Sequence, residues 1–266
     1  MKLRQVVDLY VKSTRFKNLS HGSKTKYIWA LDMLEAEFGG VEVTKIKRPH
    51  IIRAHDAMGD TPGKARFFAC VTSALFNYAL DMGHVTENPA TRIKQAKSKS
   101  IPRWDVDDIY KVINLNDRIV STAVCLAWHT GQRGGDVLKI KWSDIDGDFL
   151  RLTQEKTGTK MKIKINPSLR KYLNKLPEAG NYIVSGTEKM STEAFRGMFK
   201  RRIATLGIDG SFHGIRKTVA CTLAEKGAST NEIASLLGHK TLAMAELYTK
   251  QANSERMTSS AVDLLS

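Results

Sequence analysis

Apolar positions in the first third of the chain recur at alternating spacings of four and three. Tyr27, Leu31, Leu34 and Phe38 form one run, and Phe68, Val71, Leu75, Tyr78 and Met82 form another, so each lays an apolar stripe along one helix face. The second run opens at Thr61-Pro62, an N-cap residue type before a proline at the first helical position, and closes at Gly83. Residues 1 to about 90 therefore read as a small helical bundle. Beyond Trp104 the pattern mixes periods. Helices are predicted over 105–114, 118–130, 168–175, 191–206, 214–226 and 230–237, the last framed by the capping box Ser229-Thr-Asn-Glu232 and by Gly238. DFLRLTQ and KMKIKIN alternate with period two around a turn at Thr157-Gly158, the signature of a hairpin with one face on the core. The predicted class is mainly α with a small antiparallel β-sheet (α+β).

Residues 87–103, ENPATRIKQAKSKSIPR, follow neither period. They hold two prolines and the cations Arg92, Lys94, Lys97, Lys99 and Arg103, as expected of an extended basic connector. Four segments are expected: a helical domain over 1–90, a basic linker over 91–103, a larger mixed domain over 104–250 and a C-terminal tail over 251–266. Within the tail, Ala252, Met257, Ala261, Val262 and Leu265 suit one face of a helix too short to be stable without a partner surface.

A length of 266 residues agrees with two domains. The formal net charge of +15 points to a polyanionic partner. Residues 1–103 carry 18 of the 42 Lys and Arg but only 9 of the 27 Asp and Glu, so the shorter part is the more basic one. Cys70, Cys125 and Cys221 are far apart, odd in number and set among apolar residues, which predicts buried reduced thiols rather than disulfides. No apolar run approaches the roughly 18 residues of a membrane span, and MKLRQVVDLYVKS lacks a signal-peptide pattern. No membrane partner is expected, and the location expected is cytoplasmic, with the nucleoid.

The candidate chemistry lies in five short stretches. Arg133 stands in HTGQRGGDVL, Lys156 in QEKTGTKMK at the hairpin tip, His213 and Arg216 in SFHGIRKT, His239 in LLGHK and Tyr248 in ELYTK. Breaking a phosphodiester requires a nucleophile, charge stabilisation of the pentavalent transition state and a proton for the leaving oxygen. A tyrosine can serve as covalent nucleophile. Guanidinium groups suit nonbridging phosphate oxygens because they donate in a planar fork and stay charged. His213 and Arg216, three apart, share one side of a helical turn. Asp136, three residues after Arg133, is placed to orient that arginine if the segment between is helical. No compact carboxylate or Cys/His ligand cluster is present, so no metal cofactor is expected. Taken singly, each residue has a plainer reading: a tyrosine packed on the core, a surface Arg-Asp pair, a satisfied structural histidine, an exposed turn lysine.

In this order the five stretches closely resemble the tyrosine recombinase family, the phage integrases and their relatives. The resemblance spans 104–250, and the helical part ending in ENPA looks like the family's core-binding domain, which closes on DNA together with the catalytic domain. It implies that Tyr248 attacks the scissile phosphate to give a 3′-phosphotyrosine and a free 5′ hydroxyl. Arg133, Arg216, His213 and His239 would stabilise the phosphorane, and Lys156 would be the general acid. It also implies double-stranded DNA as partner, a homotetramer on DNA with the tail docked on a neighbouring protomer, and accessory DNA-bending or directionality proteins. Gly134-Gly135 replaces larger residues often found after the first arginine, and Lys217 stands where the family frequently has histidine. No residue precedes Met1 to form an arm-binding domain, so the expectation is a compact recombinase or a shortened form. A type IB topoisomerase shares most of this chemistry, and a catalytically idle DNA-binding regulator is the non-enzymatic alternative. A DNA-binding protein needs cations, but no phenol at that position.

Overall fold

Helix formation in the first unit follows the apolar stripes. In the computed structural model, which describes residues 1–94, 100–250 and 262, the chain divides into two compact units between Lys99 and Ser100. The first comprises α1 (Leu3–Lys12), α2 (Thr14–Lys17), α3 (His21–Phe38), a 3-10 turn (Val43–Lys45), α4 (Arg48–Asp56) and α5 (Pro62–Asp81). Leu31, Leu34, Phe68, Val71 and Leu75 all enter its core beside Leu3, Ile51 and Phe76. Two details depart from the sequence reading. Met82 lies past the end of α5 and is 53% exposed, and Thr61, although at the N-cap position, donates its hydroxyl to the Met58 carbonyl instead of capping α5.

The second unit is built around α7 (Arg118–Thr130), whose residues Val120 to Ala127 are all buried. A helix apolar on every side needs neighbours on every side, and α7 packs against α6 (Val106–Ile113), α8 (Gly134–Val137), α9 (Pro167–Leu173), α10 (Thr192–Ala204) and α11 (Phe212–Glu225). α12 (Thr230–Leu237) packs on α11, and residues 243–250 form a further helical stretch. The capping box of α12 is formed: the Glu232 carboxylate accepts from the Ser229 N–H at 2.7 Å, and the Ser229 hydroxyl accepts from the Glu232 N–H at 3.2 Å.

The sheet is three-stranded, antiparallel and ordered β1 (Ile145–Asp146), β2 (Phe149–Thr153), β3 (Lys160–Lys164), with Leu150 opposite Ile163 and Leu152 opposite Met161. β1 is too short to leave a period in the sequence. β3 buries Met161 and Ile163 while Lys160, Lys162 and Lys164 face outward, as alternation predicts. Of the cysteines, Cys125 is buried and Cys221 half-buried, but Cys70 is exposed on α5, contrary to the expectation of three buried thiols. The apolar tail positions Ala252, Met257, Ala261 and Leu265 fall outside the described residues, and Val262 is exposed.

Trp104 fixes the start of the second unit. Its indole Nε1–H donates to the Ser211 carbonyl at 3.0 Å and its backbone N–H to the Thr218 hydroxyl at 2.7 Å. A Cβ on Gly214, inside α11, would lie 2.7 Å from the indole Cδ1 and 2.8 Å from the Pro102 carbonyl oxygen. Replacing glycine by alanine inside a helix usually gains up to ~1 kcal/mol, but overpacking here costs about 1–3 kcal/mol. Gly214→Ala is therefore expected to lower the melting temperature by several degrees. Gly63→Ala, in α5 with nothing within 4 Å of the added carbon, should be neutral or raise it. Thermal melts followed by circular dichroism check the opposite signs.

Candidate active site

Two left-handed glycines bring helix ends together at the site. Gly131 (φ +65°) ends α7 and Gly238 (φ +64°) ends α12. A Cβ on Gly131 would lie 2.5 Å from Leu237 Cδ2, so the close approach needs glycine for space as well as for backbone conformation. The last carbonyls of a helix have no partner within it. Those of Gly131 and Leu237 accept from Nη1 and Nη2 of Arg216 at 2.9 and 2.7 Å. Arg216, on α11, is 4% exposed. Burial first, and then the charge of Arg133, lower its pKa to about 10, so the guanidinium remains charged at neutrality.

Arg133 is the N-cap residue of α8 and half-buried, and its Nη1 donates to Gln154 Oε1 at 2.8 Å. The expected partner, Asp136, is instead committed to the hairpin. Its Oδ1 accepts from the Glu155 N–H at 2.8 Å, and its buried Oδ2 has no hydrogen-bond partner among the described residues. The segment between is helical as supposed, but one turn of α8 aims the carboxylate at the base of the hairpin. Its charge is still felt by Arg216, whose pKa it raises.

Lys156 lies exposed in the turn between β2 and β3, beside Thr157 and the left-handed Gly158. His213 opens α11. Solvent reaches part of it, yet the surrounding protein desolvates the ring, and its pKa is lowered by that first and then by the charges of Arg216, Arg133 and Lys156. His239 follows Gly238 and is half-buried, with Nδ1 buried and unpartnered among the described residues. Desolvation, then Arg216 and Arg133, push its pKa down to about 4. Tyr248, on the 243–250 stretch, stacks on His239 with ring centroids 6.4 Å apart and planes 21° apart. Burial raises its phenol pKa and Arg216 opposes that rise. Ala245 and Thr249 anchor this stretch: Ala245 is fully buried with α11 and α12, and the Thr249 and Thr230 hydroxyls lie 3.1 Å apart.

All six residues singled out in the sequence thus share one electrostatic neighbourhood. Sequence reasoning missed Gln132 and Gln154, both buried. A glutamine has no periodic signature, and the only available signal was its position beside Arg133 and at the end of an alternating strand. Among the described residues no three His, Cys, Asp or Glu side chains converge as a metal site, and no helix is long and apolar enough to cross a membrane.

This arrangement carries concentrated positive charge, a phenol and two neutral imidazoles, which suits chemistry at a phosphoryl group. The model of the phage integrase family matches residues 99–255, and the chain belongs to that family, the tyrosine recombinases. The integrase of Enterobacteria phage 434 is 32% identical over 209 residues, covering 70% of this chain; the chain spans 58% of that relative's length. A lambda integrase fragment, residues 75–356, solved as a dimer bound to a COC′ core site, superposes with TM-score 0.82 at 26% identity, covering 92% of this chain and 97% of the fragment. A lambda integrase tetramer bound to a Holliday junction gives 0.80 at 26%, covering 91% and 78%.

The depressed histidines make a pH signature. The unfolded chain binds protons near the ordinary histidine value of ~6.5, whereas folded His239 does so only near 4. Below ~6.5 the unfolded state therefore holds more protons, and stability falls with pH through the window down to about 4. Urea unfolding at pH 7 and pH 5 should show a larger loss for the wild-type chain than for His239→Gln. Equal losses would place the His239 pKa near its ordinary value.

Proposed function

We propose that this chain is a site-specific DNA recombinase that cuts and rejoins strands through a 3′-phosphotyrosine. The observation that carries the reading is the gathering of Arg133, Arg216, His213, His239 and Lys156 around one phenol, Tyr248. Membership of the tyrosine recombinases and the fold shared with DNA-bound lambda integrase support it.

Arg216, preset by two carbonyls, and Arg133 hold the nonbridging oxygens of the scissile phosphate and stabilise the charge that builds on the phosphorane. The phenol, protonated at neutrality as any tyrosine is and more firmly so because burial raises its pKa, gives its proton to a neutral histidine as Oη bonds to phosphorus. His239, stacked on the ring, and His213 are both held neutral before DNA arrives. An entering phosphate offsets the cationic repulsion and makes them better proton acceptors. The P–O5′ bond breaks, and Lys156 on the exposed hairpin protonates the leaving oxygen. A 5′ hydroxyl from a partner strand reverses the steps, so bond energy is conserved without a nucleotide cofactor or metal.

The basic first unit serves as core-binding domain, and Lys97 and Lys99 of the 91–103 linker add to the phosphate-tracking charge. Assembly as a homotetramer on double-stranded DNA is supported by the lambda integrase tetramer solved on a Holliday junction, and accessory bending or directionality proteins complete the proposed assembly. The place of action is the cytoplasm, with the nucleoid.

Tyr248→Phe should bind its site normally yet form no covalent adduct on a nicked suicide substrate; an adduct in this variant reassigns the nucleophile. Lys156→Ala should slow cleavage of an ordinary 5′ oxygen by roughly 100-fold or more, while a 5′-bridging sulfur, which leaves without a proton, is cut nearly as fast as by wild type. Cleavage should also persist in excess chelator, and loss of the chemical step with DNA binding intact would favour a metal nuclease.

A further inference from the structure

Gln154, at the end of β2, is fully buried, and its carboxamide makes four hydrogen bonds. Oε1 accepts from Arg133 Nη1 and from the Thr157 hydroxyl, both at 2.8 Å. Nε2 donates to Gln132 Oε1 at 2.7 Å and to the Leu237 carbonyl at 2.8 Å. Two donors and two acceptor lone pairs are thereby all used. A flipped amide would set NH₂ against a guanidinium and oxygen against a carbonyl, so the orientation is fixed. Gly238 makes room for it, since a Cβ there would lie 2.5 Å from Nε2.

These bonds join elements distant in sequence. The Leu237 carbonyl that receives Gln154 also receives Arg216, so a continuous path runs from one guanidinium to the other. Gln132 extends the layer through Nε2, which donates to the Thr130 and Leu236 carbonyls at 2.9 Å. The bond to Thr157 ties in the hairpin residue next to Lys156. If only packing were needed here, an apolar side chain would fill the space without four obligatory polar partners.

We infer that Gln154 is a positioning residue that sets Arg133 and the Lys156 hairpin as one unit against the Arg216 clamp. The inference rests on the proposed roles of Arg133 as phosphate clamp and Lys156 as acid. Its placement before DNA arrives removes the need to order a long side chain during the reaction.

The test uses the full chain carrying Gln154→Met, an apolar side chain of similar length, and Thr157→Val, which keeps Gln154 but removes the hairpin's bond to Oε1 together with the bond Thr157 accepts from the Thr159 hydroxyl within the same hairpin. Gln154→Met should cut a nicked suicide substrate roughly 10- to 100-fold more slowly, with a smaller loss on the 5′-bridging sulfur substrate and unchanged DNA affinity. Thr157→Val should slow only the oxygen substrate. Histidine titration by NMR gives a readout independent of cleavage: His213, depressed in part by Arg133 and Lys156, should titrate higher in Gln154→Met as those charges move away. An unchanged His213 titration in folded Gln154→Met overturns the inference, even if its cleavage is slow. If Gln154→Met does not fold, wild-type rates on both substrates in Thr157→Val overturn it instead. Absence of a Tyr248 adduct in the wild-type chain would reject the recombinase reading, and the His213 titration would still decide whether Gln154 places these two side chains.

Discussion

Two helix ends meet over one buried guanidinium, and the second unit is organised by that meeting. α7 closes at Gly131 and α12 at Leu237, each leaving a carbonyl that the helix cannot satisfy, at the end where the helix dipole is negative. Arg216 takes one from each. An unpaired buried cation costs roughly several kcal/mol, and two oriented carbonyls offset part of that cost while keeping the charge unneutralised. Because α7 is the core helix of the unit, one of the two carbonyls that hold Arg216 is placed by the core itself. The loop after Gly131 carries Arg133, and the residues after Gly238 carry His239, so the same two helix ends place three of the six site residues.

The site is left electrostatically unfinished. Among the described residues neither Arg133 nor Arg216 is ion-paired with a carboxylate; their hydrogen bonds go to an amide oxygen and to carbonyls. Asp136, the nearby acid, spends one oxygen on the hairpin backbone. Burial first, and then the repulsion of neighbouring cations, lower Arg216 to about 10, His239 to about 4 and His213 below its ordinary value. A phosphodiester placed among these groups relieves the repulsion that folding alone leaves in place. Stability is thus surrendered at the residues proposed to bind the phosphate, the usual relation between a functional site and its scaffold.

The sequence made the helices and hairpin legible because burial on one face writes a period into the chain, and the chemistry legible because five short stretches kept a recognised order. The α12 capping box could be read residue by residue for the same local reason. What escaped had no local signature. β1 has only two residues, and Cys70 sits on the outer face of a helix whose other face is apolar. Thr61 could be placed at the N-cap position, but its alternative acceptor, the Met58 carbonyl, exists only once the preceding turn has folded. Asp136 reads from the sequence as the residue that orients Arg133, but its partner is 19 residues away on the hairpin, a pairing that only tertiary structure creates. Gln132 and Gln154 escaped for a related reason: four satisfied hydrogen bonds make a buried amide tolerable, and none of those partners could be known in advance.

The stretch FHGIR mixes chemistry with packing, and the structure separates them. His213 and Arg216 face the cationic cluster, while Gly214 between them lies under the Trp104 indole, as Gly210 does just upstream. Three further bonds fasten the entering chain to α11: Trp104 N–H to Thr218, Lys217 Nζ to the Ile101 carbonyl at 2.7 Å, and Arg103 to Glu225. Lys217 thus has a structural use in holding the chain that enters the unit. α11 is gripped by residues 101–104 on one side and by α7 and α12 on the other. Rotation about its axis would break the Trp104 contacts and the Arg216 clamp together. A glycine in a motif recognised for catalysis is required here because an indole occupies the space a side chain would need, and that indole keeps the arginine two residues later aimed at the helix ends.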